Sequence, residues 1–175
     1  MIAKSKDAGS RATKKKPAKP RKPPIVALTA DIQMDRAADA QRKAAIHLAE
    51  AMKLAAWGKA PNACVHSAYY AMHFTAVAAL FRAGGVGRHK DVPKSHRIVI
   101  EHYAKLAETL PNPLRESGKE LNRSLGMREE SDYFGSVEHE EDLDGIGATE
   151  TDAAALTDRA EQFVKNWDRY WLSKK

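Results

Sequence analysis

The stretch Pro61-Asn62-Ala63-Cys64-Val65-His66-Ser67-Ala68-Tyr69-Tyr70-Ala71-Met72-His73-Phe74-Thr75-Ala76-Val77-Ala78-Ala79-Leu80-Phe81-Arg82-Ala83 decides how this chain folds. Val65, Tyr69, Met72, Ala76 and Leu80 recur at helical spacing and form one apolar stripe; Tyr70, Phe74, Val77 and Phe81 form a second. A helix with a single stripe lies on a surface. Two stripes predict burial on most sides, so this helix belongs at the centre of the molecule. His73 and Arg82 interrupt the apolar run, which therefore falls short of the roughly 20 residues a membrane span requires.

Working outward, the preceding segment from Asp31 to Trp57 carries Ala45, Ala49, Met52 and Ala56 at helical steps, with Gly58 placed to end the helix. On the other side, Gly84-Gly85-Val86-Gly87 opens a loop. Ser95, after Pro93, is a candidate N-cap for a third helix through Ile98, Tyr103 and Leu106, which Pro111-Asn112-Pro113 stops. A fourth helix is expected to present Leu114, Leu121 and Leu125 on one side and to run through Arg128 to about Tyr133. Gly135 to Gly147 reads as an acidic loop, and Thr149 with Asp152 three residues later has the form of a capping box. Leu156, Ala160, Phe163, Trp167, Tyr170 and Trp171 then hold helical spacing almost to the last residue. No segment alternates as a strand would. The expectation is an all-α, up-and-down bundle of about five helices spanning residues 31–175, in one domain.

Charge separates the first 24 residues from this domain. The chain has 29 Lys and Arg against 23 Asp and Glu, net +6, but Met1 to Pro24 holds nine of the basic residues and one Asp. The tail thus carries +8 and the remainder −2. A Lys, Pro, Ala and Ser tract with almost no large apolar side chain buries too little surface to offset the entropy of ordering, so residues 1–24 are expected to be a disordered basic tail. It lacks the apolar core of a secretory signal, and its Lys-Pro composition does not suit a mitochondrial presequence; the expected residence is cytoplasmic. Its removal is expected to weaken salt-sensitive RNA binding and to leave thermal stability unchanged. Cys64, the one cysteine, excludes a disulfide within the chain and sits among small apolar neighbours as a buried thiol would.

Few residues suggest chemistry. His66, Tyr70 and His73 fall at i, i+4 and i+7, a polar-tipped line on an otherwise apolar helix. Such a line either reaches backbone carbonyls and rim water or faces a ligand pocket or dimer seam. No two histidines stand at i, i+4 and the cysteine is isolated, so neither a metal nor a cofactor is expected. Glu140, Asp142, Asp144 and Gly145 imitate half of a calcium loop, but Thr151 stands at the twelfth position where a bidentate Glu is needed; a solvated acidic loop is expected instead. Arg128 and Asp132, four apart on a helix, should pair, with Tyr133 next to them.

Taken together, Ser67-Ala68-Tyr69-Tyr70-Ala71-Met72-His73 with Phe74 and Ala76, Lys94-Ser95-His96 with Val99 and Ile100, Arg128-Glu129-Glu130-Ser131-Asp132-Tyr133, and Ala160 with Phe163-Val164 resemble the HEPN family over roughly Asp39 to Trp171. The resemblance implies a small helical domain that forms homodimers. It often partners a minimal nucleotidyltransferase in toxin–antitoxin or defence-type systems. Many members cut RNA without metal, using an Arg followed after four to six residues by His. In that pattern the Arg holds the phosphate and the His assists attack by the 2′-hydroxyl. Here the sequence departs: counting on from Arg128, the His positions hold Tyr133, Phe134 and Gly135, and His139 comes too late. Tyrosine ordinarily titrates near pH 10, which makes Tyr133 a poor base at neutral pH but leaves it able to donate a hydrogen bond to phosphate.

The same spacing also occurs from Arg42 to His47, Arg82 to His89 and Arg97 to His102, but twelve arginines and seven histidines produce such matches by chance. None lies in the helix that carries the motif. His66, His73 or His102 takes over the role of the absent His only if the fold brings it beside Arg128. The resemblance therefore places Arg128 and Tyr133 at the chemical centre and His66, Ser67, Tyr70, His73 and Asp132 around it as binding or interface residues. The expected function is a dimeric domain that binds a nucleotide, RNA or a nucleotidyltransferase. The alternatives are a metal-independent ribonuclease using Arg128 with a non-standard acid or base, and a purely structural oligomerising bundle.

Overall fold

The computed structural model describes residues 26–133 and 147–174. Its helices are α1 (Ala30–Trp57), α2 (Pro61–Arg82), α3 (His96–Glu108), α4 (Ser117–Tyr133) and α5 (Glu150–Leu172), with a short 3₁₀ turn over Leu114–Glu116. Among the described residues the only β pairing is a single bridge between Val86 and Asp91. The protein is an all-α bundle. The basic tail of residues 1–24 and the acidic, calcium-like loop up to Ile146 lie outside the described residues.

Helix α2 is central, as its two stripes require. Val65, Tyr69, Met72 and Ala76 are fully buried, and α1, α3, α4 and α5 all pack against it. The second stripe is only partly covered: Tyr70, Phe74 and Val77 are half-buried, while Phe81 is buried. That half-covered stripe leaves room for a site. Cys64 is buried, its thiol facing the carbonyls of Ala51 and Ala153 and the hydroxyl of Thr157.

Helix ends follow local chemistry. Thr149 accepts from the Asp152 amide at 3.1 Å while the Asp152 carboxylate accepts from the Thr149 amide, the reciprocal box the sequence predicts. Gly58 ends α1 in the left-handed region at φ 70°, and its N–H donates to the Leu54 carbonyl at 3.0 Å. Ser95 does occupy the cap position of α3, but its side chain makes no capping bond. Leu114 is buried in the 3₁₀ turn, one step before α4 begins, because Pro111 and Pro113 delay the start of regular helix.

The buried face of α1 differs from the expected one. Ala45, Ala49, Met52 and Ala56 are exposed, and Ala37, Ala40, Ala44 and Ala51 are buried on a helix that packs chiefly against α2. In an alanine-rich helix several faces have the same period, so the large side chains of the neighbour decide which one is covered. The start of α1 also anchors the loop after α2: buried Gln33 donates through Nε2 to the carbonyls of Gly84 and Lys90, both at 3.1 Å. That loop delivers the chain to the first residue of α3, His96.

Candidate functional site

The half-covered stripe of α2 centres on Tyr70. The centroid of its ring lies 4.7 Å from that of His66, one turn earlier on the same helix. It lies 5.4 Å from His47 on α1, 5.4 Å from His96 at the start of α3 and 6.1 Å from His73, also on α2. From α4, the Arg128 guanidinium carbon stands 5.9 Å over the same ring, within range of a cation–π contact. Four helices thus converge on one phenol ring, bringing together four histidines and one arginine.

Asp132 ties the cationic side together. One of its oxygens forms an ion pair with Arg128 Nη2 at 2.5 Å, and the other lies 3.5 Å from His66 Nδ1. The first contact follows from the i, i+4 geometry of α4. The second is a tertiary contact between α2 and α4. Arg128 is three-quarters covered, and its buried Nε has no hydrogen-bond partner among the described residues. A buried guanidinium N–H without an acceptor costs on the order of 1–3 kcal/mol.

His96 is fixed from behind. Its Nδ1 lies 2.7 Å from the Tyr69 hydroxyl, and its ring stacks on His73 at 4.3 Å and 14°. Burial pushes the Tyr69 phenol well above the usual tyrosine range, with Tyr70 adding to the effect, so Tyr69 keeps its proton at all ordinary pH. Burial also lowers His96 below the usual histidine value; the Arg128 charge adds to this and Glu129 partly opposes it. His73 is lowered further, to about 3, by burial and then by His96. Both stacked rings are therefore neutral at neutral pH.

The expected residues are divided by the fold. His66, Tyr70, Arg128 and Asp132 come together. His73 joins them as a buried support, only 5% exposed and with Nδ1 unpartnered among the described residues, because His96 covers it. Ser67 is buried and turns to α1, where its hydroxyl donates to Glu50 at 3.0 Å; the same Glu50 oxygen lies 3.6 Å from His47 Nδ1. Tyr133 is the last residue of α4, directly after Asp132. Phe134, Gly135 and His139 lie outside the described residues.

Two site residues are absent from the expected set. His47 stacks on Phe74 at 5.6 Å and 11° and reaches Tyr70, but nothing in the spacing of α1 indicates which way it faces. His96 stands inside Lys94-Ser95-His96, part of the resemblance, yet its place beside Arg128 depends on how the loop after α2 closes. Among the described residues no group of three or more His, Cys, Asp or Glu side chains is arranged to hold a metal ion.

An all-α bundle whose central helix presents tyrosine and histidine to an arginine of a later helix defines a class of small helical domains with a basic, imidazole-rich site. The HEPN domain model matches residues 37–169, well over half of the chain, and the protein belongs to the HEPN family. The match runs from within α1 to within α5 and includes every site residue named above. Family membership carries a general association with nucleotides and RNA, and members commonly dimerise. No curated protein and no solved structure matches the chain.

Proposed function

We propose that this HEPN domain works as a homodimer that binds a phosphate of RNA or of a nucleotide at Arg128. The observation that carries the reading is Arg128 itself, a guanidinium one-quarter exposed over the Tyr70 ring and paired at one nitrogen with Asp132. A guanidinium is suited to a phosphate because its donors form a planar fork. The Tyr70 ring stands 5.9 Å from the guanidinium carbon and supports the fork. With Tyr133 where the motif His belongs, recognition is the primary role. A minimal nucleotidyltransferase, as in toxin–antitoxin or defence-type pairs, is the protein partner that family membership suggests.

A second reading, a metal-independent endoribonuclease, is favoured by His66 and His96, which supply imidazoles next to Arg128 from other helices. One assay separates the two. Labelled RNA is incubated with the purified protein and with Arg128→Ala in the presence of a chelator, and both binding and chain length are followed. Binding that falls about tenfold or more in the variant supports the site. Chelator-resistant cutting that disappears in the variant makes the protein a ribonuclease. If neither RNA nor nucleotide binds and Arg128→Ala alters only the oligomeric state, the domain is an oligomerising bundle.

A further inference from the structure

The far end of α2 borders a second concavity, remote from Arg128. Ala79 and Arg82 stand nine and twelve residues beyond Tyr70 on that helix, roughly 14–18 Å along its axis at about 1.5 Å per residue. With Leu106 and Leu110 near the end of α3 and the rings of Trp167, Tyr170 and Trp171 on α5, they line a cavity of about 340 Å³, within the size range of small-molecule sites. The Trp167 ring is perpendicular to Tyr170 (5.6 Å, 89°) and tilted by 37° from Trp171 at 5.2 Å, so the walls offer both faces and edges to a flat guest. Two cations stand over these rings: the Arg82 guanidinium carbon lies 4.5 Å from Trp171, and Lys174 Nζ lies 5.4 Å from Tyr170. Arg82 Nη2 donates to Gln41 Oε1 at 2.6 Å, which fixes the guanidinium against the indole. Among the described residues no Asp or Glu lines the cavity. Asp168, a carboxylate in the field of Arg82, lines a neighbouring cavity with Gln41 instead.

Aromatic walls, two cations and no lining carboxylate match one chemistry. We infer that this cavity binds a small aromatic carboxylate, whose one or two fused rings slot against Trp167, Tyr170 and Trp171 while its carboxylate faces Arg82 and Lys174. A carboxylate only accepts hydrogen bonds, and the polar side-chain groups here mostly donate: Arg82, Lys174 and the Trp171 N–H do nothing else, and the Tyr170 hydroxyl does both. The Trp167 N–H is spent on the Tyr103 hydroxyl at 2.7 Å. A nucleobase is the wrong guest, because its own N–H donors would enter a cavity with few side-chain acceptors. Arg82 is half-buried and Lys174 exposed, so solvent screens the lysine more and Arg82 carries most of the preference for an anion. The assignment is independent of the phosphate reading at Arg128, and either can fail alone.

The test titrates the full-length protein with sodium 2-naphthoate and follows the indole N–H signals of its three tryptophans by NMR. Trp167 and Trp171 are expected to shift together, while Trp57, 61% exposed at the end of α1, serves as the internal control. The neutral 2-naphthamide and the cationic 2-naphthylmethylamine are expected to bind at least about tenfold more weakly, the scale of one charge-assisted hydrogen bond. Arg82→Gln brings naphthoate down to the level of the amide, whereas Lys174→Gln costs about two- to threefold, as a solvent-screened charge does. Ala83→Phe, at an exposed position on the cavity wall, fills the space without touching the core and weakens naphthoate at least about fivefold. The inference is overturned if naphthoate at millimolar concentration leaves Trp167 and Trp171 unmoved, or if the amide or the amine binds as tightly as the acid. Binding that survives both Arg82→Gln and Ala83→Phe overturns it as well. So does adenosine monophosphate shifting the same two signals as strongly, which would make the cavity a nucleotide site.

Discussion

Arg128 and Asp132 pair at 2.5 Å one turn apart on α4, so the strongest local competitor for any anion at Arg128 is the domain's own carboxylate. Because Asp132 also stands 3.5 Å from His66, removing its charge changes the site on two helices at once.

Asp132→Asn keeps the shape and removes the negative charge. RNA affinity is expected to rise several-fold at low salt, with the gain shrinking as ionic strength increases, since the effect is electrostatic. Anisotropy titrations at two salt concentrations check this. Equal affinity in both proteins would mean that the carboxylate does not face the bound anion.

Arg128→Lys retains the charge but loses the planar fork and the buried Nε donor. We expect it to bind RNA about tenfold more weakly than wild type while its circular dichroism is unchanged. Wild-type affinity in this variant would show that only the charge matters.

His73 makes stability depend on pH. Its folded value is lowered to about 3 by burial and by His96, whereas an unfolded histidine takes up a proton near pH 6.5. The unfolded chain therefore binds a proton that the folded chain refuses. The stability this confers is complete above about pH 6.5 and is lost as pH falls from there toward about 3. His96, lowered in the same direction, adds to the slope. The urea midpoint should drop on acidification, and His73→Phe, which keeps a ring to stack on His96, should show a shallower drop. Parallel curves for the two proteins would rule out His73 as the source.

A buried relay joins α5 to α3 and α4. Trp167 Nε1–H donates to the Tyr103 hydroxyl at 2.7 Å, which lies 2.6 Å from Ser117 Oγ, and Ser117 in turn donates to the Leu114 carbonyl. Tyr103→Phe leaves the indole N–H without its acceptor in the core. The expected loss is about 1–3 kcal/mol, measured by urea unfolding with tryptophan fluorescence. A loss below about 0.5 kcal/mol would mean that another acceptor replaces the phenol.

The elements legible in the chain are those fixed by near neighbours. Two apolar stripes placed α2 at the centre, and Val65, Tyr69 and Met72 are fully buried as they required. Thr149 and Asp152 are three residues apart and cap α5 without help from the rest of the fold. The phase of α1 was not legible. Ala45 and Ala49 offer the same methyl groups as Ala40 and Ala44, so burying either face yields similar free energy until α2 is docked.

The same division holds at the site. The sequence by itself determined the Arg128–Asp132 pair, the alignment of His66 with Tyr70, and the Tyr at the position of the motif His, because each depends only on spacing along one helix. Tertiary structure decided that His47 and His96 join them, that Ser67 turns to Glu50, and that His73 is buried under His96. Those contacts cross between helices, and their geometry is set by how large side chains interlock and how the loop after α2 closes on Gln33, which no periodicity within a single helix encodes.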